Sequence, residues 1–215
     1  FEALRDSMRV TLGRRVGSFS ERAERLRERH SDGGAVFSTA HVEACAANVA
    51  ALHSQIVPED LEAAADALLA AQRVYVLGAL GSTGLAEYLA YTAGFFSDTF
   101  QLLGRGGASV SAGLEGMGPR DALIVLTKPP FATASIEAAR VAREGGSYVL
   151  LITDSGACPA LGDASARFVV PSDSPHFFSS YAATLVLIEA LVGTLAARSG
   201  PNALDRMARM EDTAR

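Results

Sequence analysis

The stretch that decides the fold is ALIVLTKPPFATASIEAARVAREGGSYVLLIT, residues 122–153. It contains an apolar run, a polar turn, apolar residues at helical spacing, and then a second apolar run. Runs that are apolar throughout are typical of strands covered on both faces, and a helix between two such strands makes a right-handed parallel crossover. The stretch therefore predicts a β-α-β unit.

The same alternation continues on both sides of this unit. The predicted strands are residues 73–78, 99–103, 122–127, 147–153 and 167–171, and a helix-compatible stretch follows each of them. Helical spacing also predicts helices over Thr39–Gln55 and Pro58–Ala70, before the strands, and over Phe177–Arg198, after them. We predict an α/β fold, a three-layer α/β/α sandwich with a five-stranded parallel sheet, preceded by N-terminal helices.

The composition narrows the classes of function. The net charge is −5 and the only lysine is Lys128, so the chain lacks a basic stripe for direct DNA binding. The most apolar segment, Tyr181–Ala197, is shorter than the roughly 20 residues of a membrane span, and no membrane contact is expected. The two cysteines, Cys45 and Cys158, form no Cys-x-x-Cys pair. We therefore expect no disulfide, no metal, no cofactor and a cytoplasmic location.

Residues 1–34 differ from the rest in charge, with eight arginines against six acids. Ser18 and Glu21 form an S-x-x-E signature that predicts the start of a helix, and His30–Gly34 reads as a linker. The sequence begins with Phe1 and lacks the order of a signal peptide, so we expect that a preceding part of the protein is missing. We predict a helical linker at 1–34, one domain with its leading helices at 35–198, and a helical tail at 199–215.

The loops that follow the predicted strands are rich in hydroxyl groups. They are residues 78–83, 104–109, 127–135, 153–155 and 172–180. In a parallel sheet such loops meet at one edge, where ligands bind, and hydroxyls beside the free N–H groups of helix starts suit oxyanions and polyols. Each hydroxyl is also compatible with simple helix capping. Five such loops favour a sugar phosphate site, since neither a dinucleotide motif nor a Walker A motif is present.

Three stretches carry a resemblance to a known family: GALGSTGLAEYLAY (78–91), the β-α-β unit extended to residues 121–161, and SDSPHFFSSYAATLVLIEALV (172–192). The chain resembles the SIS (sugar isomerase) phosphosugar-binding domain of RpiR-type bacterial transcription regulators over about residues 36–198. The resemblance implies an effector-sensing and oligomerisation domain that binds a sugar phosphate or a related sugar-derived metabolite. It also implies that DNA is contacted only through a helix-turn-helix domain, which would precede residues 1–34 and is missing here.

The chain keeps only some of the residues of the family's binding loops. The family's Gly-x-Gly-x-Ser loop lies on Gly78–Ser82, with Leu80 at the second glycine and Ser82 as the phosphate-contacting serine. The family's Ser-x-Ser-Gly-x-Thr loop lies on Thr127–Ala132 and keeps only its first hydroxyl. Two prolines remove N–H donors there, a loss of about 3–6 kcal/mol at ~1.5–3 kcal/mol for each bond to a charged acceptor. We expect a modified pocket whose candidate ligand-binding residues are Gly78, Gly81, Ser82, Thr83, Thr127, Lys128, Phe131, Thr133, Ser135 and His176.

Several residues in this region allow more than one interpretation. Lys128 is expected first as a solvated surface charge, then as a phosphate contact, and last as a Schiff-base former. His176 either faces the pocket or a neighbouring subunit, or is an ordinary packed residue. Glu189 is expected on a polar helix edge rather than as a buried functional acid. The apolar helix that carries it needs cover on several sides, which predicts a homodimer or a homotetramer.

The rival function is an aldose-ketose sugar-phosphate isomerase of the same family. Such an enzyme moves a proton between adjacent carbons and needs a positioned base, usually Glu or His. The candidates are Glu87, Glu137 and His176, and none lies at an informative spacing. We therefore assign no catalytic residue and do not expect an enzyme. A third alternative is that the altered second loop has abolished ligand binding and left an interaction scaffold.

Overall fold

Five parallel strands form the centre of the molecule. The computed structural model describes residues 18–31, 36–104 and 109–213. The strands are β1 (Arg73–Gly78), β2 (Phe100–Leu102), β3 (Asp121–Leu126), β4 (Tyr148–Thr153) and β5 (Ala166–Val169), paired side by side in the order β2-β1-β3-β4-β5. The predicted α/β fold with a five-stranded parallel sheet is confirmed.

Helices cover both faces of the sheet. They are α1 (Phe19–Ser31), α2 (Phe37–Gln55), α3 (Pro58–Ala70), α4 (Thr83–Gly94), α5 (Val110–Leu114), α6 (Thr133–Glu144), α7 (Ala182–Arg198) and α8 (Pro201–Thr213). Alternate strand residues point to opposite faces, so Val74 and Val76 join the apolar cluster under α3, α4 and α7, while Tyr75 and Leu77 join the cluster under α6. The result is the expected three-layer sandwich.

The registers of the strands place the carboxyl ends of neighbouring strands at the same level. Gly78 pairs with Leu126, and Leu126 pairs with Ile152. Three neighbouring strands therefore end at the same level, and the loops after them leave the sheet at one edge. This edge is called the carboxyl edge below.

The last large helix begins later than the sequence predicts. We predicted Phe177–Arg198, whereas α7 begins at Ala182. The aromatic residues before it stack on one another instead, with ring centroids of His176 and Phe177 4.2 Å apart. The backbone N–H of Ser180 donates to the carbonyl of Ser172 at 2.9 Å. This bond closes residues 172–180 into a loop, called the 172–180 loop below.

The N-terminal capping signature is confirmed. The N–H of Ser18 donates to Glu21 Oε2 at 2.8 Å, and the N–H of Glu21 donates to Ser18 Oγ at 3.2 Å. The helix that follows continues to Ser31, so it includes the first part of the predicted linker at His30–Gly34. Residues 1–17 and 32–35 lie outside the described residues. The division into segments 1–34, 35–198 and 199–215 stays a prediction.

Helix α7 is covered by its own chain. Its buried side chains, which include Leu187 and Leu191, pack with α2, α3 and α4. The chain thus supplies much of the expected cover, while Val186 of the same helix remains 39% exposed. The homo-oligomer stays a prediction. Glu189 is exposed and accepts a hydrogen bond from the Tyr88 hydroxyl at 3.1 Å, which confirms its place on a polar helix edge.

The helices were also compared with the requirements of a membrane span. Within the described ranges, no individual helix has the length and apolar character that a bilayer crossing needs. Helices α7 and α8 meet that requirement only when they are taken together, across a bend of 115°.

Candidate functional site

The loop after β1 turns sharply into α4. A Cβ atom on Gly78 would lie 2.4 Å from the carbonyl oxygen of Ser82, so the turn requires glycine there. Leu80, at the position of the family's second glycine, has φ of 53°, a left-handed conformation that bulky residues seldom adopt. Thr83 Oγ1 donates to the Leu80 carbonyl at 2.9 Å. The Thr83 hydroxyl is therefore used within the loop, but as a donor to a carbonyl and not as a helix cap, since α4 has no side-chain cap bond.

Tyr181 covers the serine that the resemblance assigns to phosphate. Ser82 is only 2% exposed, and its Oγ lies 3.1 Å from the Tyr181 hydroxyl. A Cβ on Gly81 would lie 3.0 Å from the same hydroxyl. Since Ser82 precedes α4 and Tyr181 precedes α7, the N-terminal ends of two helices lie side by side. Both ends carry partial positive charge.

Lys128 is not solvated, so our first interpretation of it was wrong. Its side chain is 7% exposed, its Nζ donates to the Ser180 carbonyl at 2.8 Å, and Nζ lies 4.2 Å from the centre of the Tyr181 ring. The end of the 172–180 loop covers the end of β3, so a carbonyl and an aromatic face replace water around the ammonium group. The fold therefore holds a positive charge against the side chain that covers Ser82.

A buried carboxylate completes this group of residues. Asp154, directly after β4, is 5% exposed and accepts a hydrogen bond from Ser172 Oγ at 2.5 Å. Burial raises the pKa of the Tyr181 hydroxyl, the hydrogen bond with Ser82 lowers it, and the charge of Asp154 raises it. Tyr181 thus stays a protonated phenol. We define the Ser82 site by its six residues: Ser82, Lys128, Asp154, Ser172, Ser180 and Tyr181.

The remaining candidates on the loop after β3 occupy different environments. Thr127 is 3% exposed, and its N–H continues the sheet by donating to the Ile152 carbonyl at 3.0 Å. Phe131 packs against the apolar cluster under α6, whereas Thr133 is exposed. Ser135 is fully buried, and its Oγ has no hydrogen-bond partner among the described residues. The Pro129–Pro130 peptide bond is cis.

His176, on the 172–180 loop, packs in an aromatic cluster with residues of α2. Its ring centroid is 5.9 Å from that of Phe37 and 6.1 Å from that of His41. Burial lowers the pKa of His176, and the neighbouring His41 lowers it further. These contacts match the interpretation as a packed residue. The structure therefore brings Gly81, Ser82 and Lys128 together around Tyr181, and it places Thr133 and His176 elsewhere.

Four of the six site residues were not among the predicted candidates: Asp154, Ser172, Ser180 and Tyr181. Ser172 and Ser180 belong to a loop that we noted for its hydroxyls. Asp154 belongs to a loop that we noted for its hydroxyls, and the signal that could have found it was an acid directly after a fully apolar strand. Tyr181 gave no such signal, because its partner Ser82 lies 99 positions away in the sequence. Part of the loop at 104–109 lies outside the described residues. Among the residues that are described, no group of three His, Cys, Asp or Glu side chains is arranged to hold a metal ion.

Solved structures with the same fold come from regulators and from isomerase-like proteins. The sugar isomerase domain of an RpiR transcription factor from Sphaerobacter thermophilus has a TM-score of 0.74 and 22% identity, and the match covers 80% of this chain and 96% of that one. The Vibrio vulnificus NanR protein complexed with ManNAc-6P has a TM-score of 0.70 and 14% identity, with coverage of 85% and 70%. These likenesses show the fold.

A third structure is a hypothetical protein of Methanococcus jannaschii for which a 3-hexulose-6-phosphate isomerase function has been inferred. Its TM-score is 0.63 at 11% identity, with coverage of 78% of this chain and 95% of that one. A comparison with curated protein sequences gave no match. The family described as the SIS domain matches residues 67–193, which is more than half of the chain. On this match, and with the parallel sheet and its carboxyl edge as described, the chain belongs to the SIS domain family.

Proposed function

We propose that this chain is the effector-sensing domain of an RpiR-type transcription regulator and that it binds a sugar phosphate or a related sugar-derived anion at the Ser82 site. The observation that carries the proposal is the burial of Lys128 beside Tyr181 and Ser82. An ammonium group is costly to remove from water. A bound anion would offset this cost, so a positive charge held at the carboxyl edge favours anion binding.

The other groups of the site fit the remainder of such a ligand. The N-terminal ends of α4 and α7 favour negative charge. Tyr181 stays protonated, so it adds no negative charge that would repel an anion. Asp154 is an acceptor that suits the hydroxyl groups of a sugar. A polyhydroxylated anion therefore matches the site better than a neutral sugar or a purely apolar ligand.

In the proposed sensor, Tyr181 contacts Ser82 in one state and is displaced by the ligand in the other. An anion that bonds to Ser82 competes with the Tyr181 hydroxyl, which occupies that position at 3.1 Å. Displacing Tyr181 moves the residue that precedes α7, and α7 packs with α2, α3 and α4. A ligand shifts such an equilibrium only through its different affinity for the two arrangements. This coupling suits a regulator more than a catalyst.

The wider organisation belongs to the same proposal. The fold likeness to the RpiR transcription factor domain and to NanR in complex with ManNAc-6P supports a regulatory role and a phosphorylated sugar. In this proposal DNA is contacted only by a helix-turn-helix domain preceding residues 1–34, and the domain at 35–198 forms a homodimer or a homotetramer.

An isomerase of the same family is the second candidate, and Asp154 is the observation that favours it. A buried carboxylate near the sugar-binding position is one form that a general base takes. Of the bases considered from the sequence, Glu137 is exposed and paired with Arg140 at 2.8 Å, and His176 packs among aromatic rings. The third, Glu87, is half-buried on α4 and stays a candidate. The isomerase thus depends on Glu87 or on Asp154, which already accepts a bond from Ser172.

A thermal-denaturation screen tests the proposed function. We expect at least one sugar phosphate or sugar acid to raise the melting temperature, as mass action requires of a ligand of the native state, while the matching neutral sugars have no effect. The same compounds are then incubated with the protein and analysed for conversion. Conversion at useful rates would favour the isomerase, and a melting temperature that no compound changes would contradict ligand binding altogether.

A further inference from the structure

A second group of reactive side chains lies where α2 meets the 172–180 loop. Cys45 Sγ is 3.5 Å from His41 Nε2 and 3.3 Å from Ser180 Oγ. The other ring nitrogen of His41, Nδ1, is 3.1 Å from Ser174 Oγ. The thiol therefore contacts an imidazole and one hydroxyl, and the imidazole contacts a second hydroxyl. We call these four residues the Cys45 group.

The hydrogen bonds around this group orient its protons. Ser174 Oγ already accepts the N–H of His176 at 3.0 Å, and Ser180 Oγ accepts the N–H of Ala182 at 3.2 Å. When His41 Nδ1 donates to Ser174, Nε2 is left as an acceptor for the thiol proton. The Ser180 hydroxyl is then free to donate its own proton to the sulfur. A nucleophile beside a base that a third group orients is the arrangement that activates nucleophiles in proteins.

We propose that Cys45 is a site of covalent modification by small peroxides, with His41 as the base. His41 Nε2 takes the thiol proton, and the sulfur attacks one oxygen of hydrogen peroxide. An S–O bond forms while the O–O bond breaks. The departing hydroxide takes the proton from His41 and leaves as water. The sulfur is oxidised to a sulfenic acid and the peroxide is reduced, so no further reactant is needed.

The two cysteines of the chain differ in the features that decide reactivity. Cys45 is partly exposed and lies beside an imidazole, whereas Cys158 is 3% exposed and packs in the apolar cluster under α6. Reactive cysteines are typically accessible and close to a basic group, and buried cysteines in apolar surroundings are inert. Cys158 therefore serves as an internal control for Cys45.

Modification of Cys45 is also expected to affect the Ser82 site, because Ser180 contacts both Cys45 and Lys128. Ser180 contacts the sulfur through its hydroxyl and holds Lys128 through its carbonyl at 2.8 Å. An oxygen added to the sulfur would occupy space next to Ser180 and disturb the hydrogen bond between Ser180 and the sulfur. Oxidation is thus expected to loosen Lys128 and weaken anion binding, a consequence that rests on the proposed function.

Alkylation by iodoacetamide tests the activated thiol without any ligand. The sulfur displaces iodide, and peptide mass spectrometry assigns the product to each cysteine. At about pH 7 we expect Cys45 to react about tenfold or more faster than Cys158, because Cys45 is accessible and beside an imidazole whereas Cys158 is buried and unassisted. Three ionisable groups are connected to Cys45: His41 on α2 contacts it, His176 on the loop lies beside His41, and Lys128 bonds to Ser180, which contacts the sulfur. Among these only His41 contacts the sulfur directly.

The variant His41→Gln separates activation from packing. Glutamine keeps a hydrogen-bonding side chain but cannot take the proton, so the rate at Cys45 should fall about tenfold and rise steeply with pH, as for an unassisted thiol. Circular dichroism and melting temperature check that the variant is folded. An unchanged rate and pH profile in His41→Gln, or a wild-type Cys45 no faster than Cys158, would overturn the proposal.

Hydrogen peroxide followed by dimedone tests the modification itself. Dimedone traps sulfenic acids, and we expect the adduct at Cys45, with none at Cys158 and none in Cys45→Ser. Absence of the adduct at Cys45 would refute the peroxide step. The melting screen is then repeated on oxidised protein. If no anion binds even before oxidation, the proposed function fails while the alkylation and trapping results still decide the fate of the Cys45 proposal.

Discussion

Lys128 and Asp154 place two charges at an edge where most neighbouring side chains are apolar or carry hydroxyls. They are 7% and 5% exposed, and burying either ion costs several kcal/mol even after the surroundings relax. The Ser180 carbonyl and the Ser172 hydroxyl offset part of this cost. Local rules of stability are broken mostly at functional positions, so these two residues mark the carboxyl edge as the place to look for ligands.

Gly78 should be the least replaceable position of the first loop. A Cβ there would lie 2.4 Å from the Ser82 carbonyl and 2.8 Å from Ala86 Cβ, so we expect Gly78→Ala to destabilise the fold by about 2–3 kcal/mol. The matched control is Gly84→Ala in α4, where nothing lies within 4 Å of the added Cβ. That change should stabilise by about 0.5–1 kcal/mol. Urea unfolding of both variants checks the difference, and equal effects would contradict the geometry.

Asp121 should govern part of the acid stability. Arg73 Nε and Nη2 each donate to the carboxylate at 2.9 Å. These bonds hold the pKa of Asp121 below its ordinary value of 3.8, although burial opposes them. Since the folded pKa is depressed, the ionised carboxylate stabilises the fold above pH 3.8, and this stability is lost as the pH falls through the lower folded value.

The variant Asp121→Asn measures this contribution. We expect it to be less stable than the wild type at about pH 7 and to approach the wild type as the pH falls through the depressed pKa of Asp121, below which neither protein carries a charge at this position. Urea midpoints across this range provide the measurement. A difference between the two proteins that is the same at every pH would show that the ion pair has no such role.

The strands and the helix at Pro58–Ala70 are elements that the sequence predicts well. The run at residues 122–126 is apolar because both faces of β3 are covered, so its pattern reflects local burial directly. The start of α1 is also predictable, because Ser18 and Glu21 satisfy each other within one turn. Features that depend on neighbours in sequence can therefore be predicted from the sequence alone.

Features that depend on distant neighbours cannot be predicted in this way. The start of α7 is set by the closure of the 172–180 loop and by aromatic stacking with α2, and helical spacing alone extended the helix too far. The burial of Lys128 is set by Ser180, 52 positions away. Without knowledge of that contact, a lysine that precedes a proline in a loop is predicted to be solvated.

The segment that leads into α7 should control access to Ser82. Tyr181→Phe keeps the ring over Lys128 but removes the hydroxyl that contacts Ser82. We expect a loss of about 1 kcal/mol in unfolding free energy, together with tighter binding of the anion found in the screen, because the internal competitor is gone. Urea unfolding and a binding titration measure the two effects.

Tyr91→Phe is the control for this prediction, since Tyr91 is 66% exposed on α4. It should change neither stability nor affinity. Weaker anion binding in Tyr181→Phe than in Tyr91→Phe would mean that the Tyr181 hydroxyl belongs to the ligand site instead of competing for it.

Across the molecule, one continuous set of contacts joins the Ser82 site to the helical layer. Lys128 bonds to Ser180, Ser180 contacts Cys45 on α2, and Asn48 of the same helix donates to the Asp173 carbonyl at 2.7 Å. Helices α2 and α7 pack together. These contacts connect the Ser82 site to α2, and they are the route by which the proposed sensor would pass on a movement of Tyr181.

Anion binding at the Ser82 site is the central claim, and calorimetric titration of the best anion from the screen tests it directly. We expect saturable binding that weakens about tenfold or more in Ser82→Ala and in Lys128→Met, because each loses a charge-assisted contact of about 1.5–3 kcal/mol. Arg140→Met, which removes a charge from the exposed side of α6, should bind like the wild type. Equal affinity in all four proteins would place the ligand elsewhere and contradict the claim.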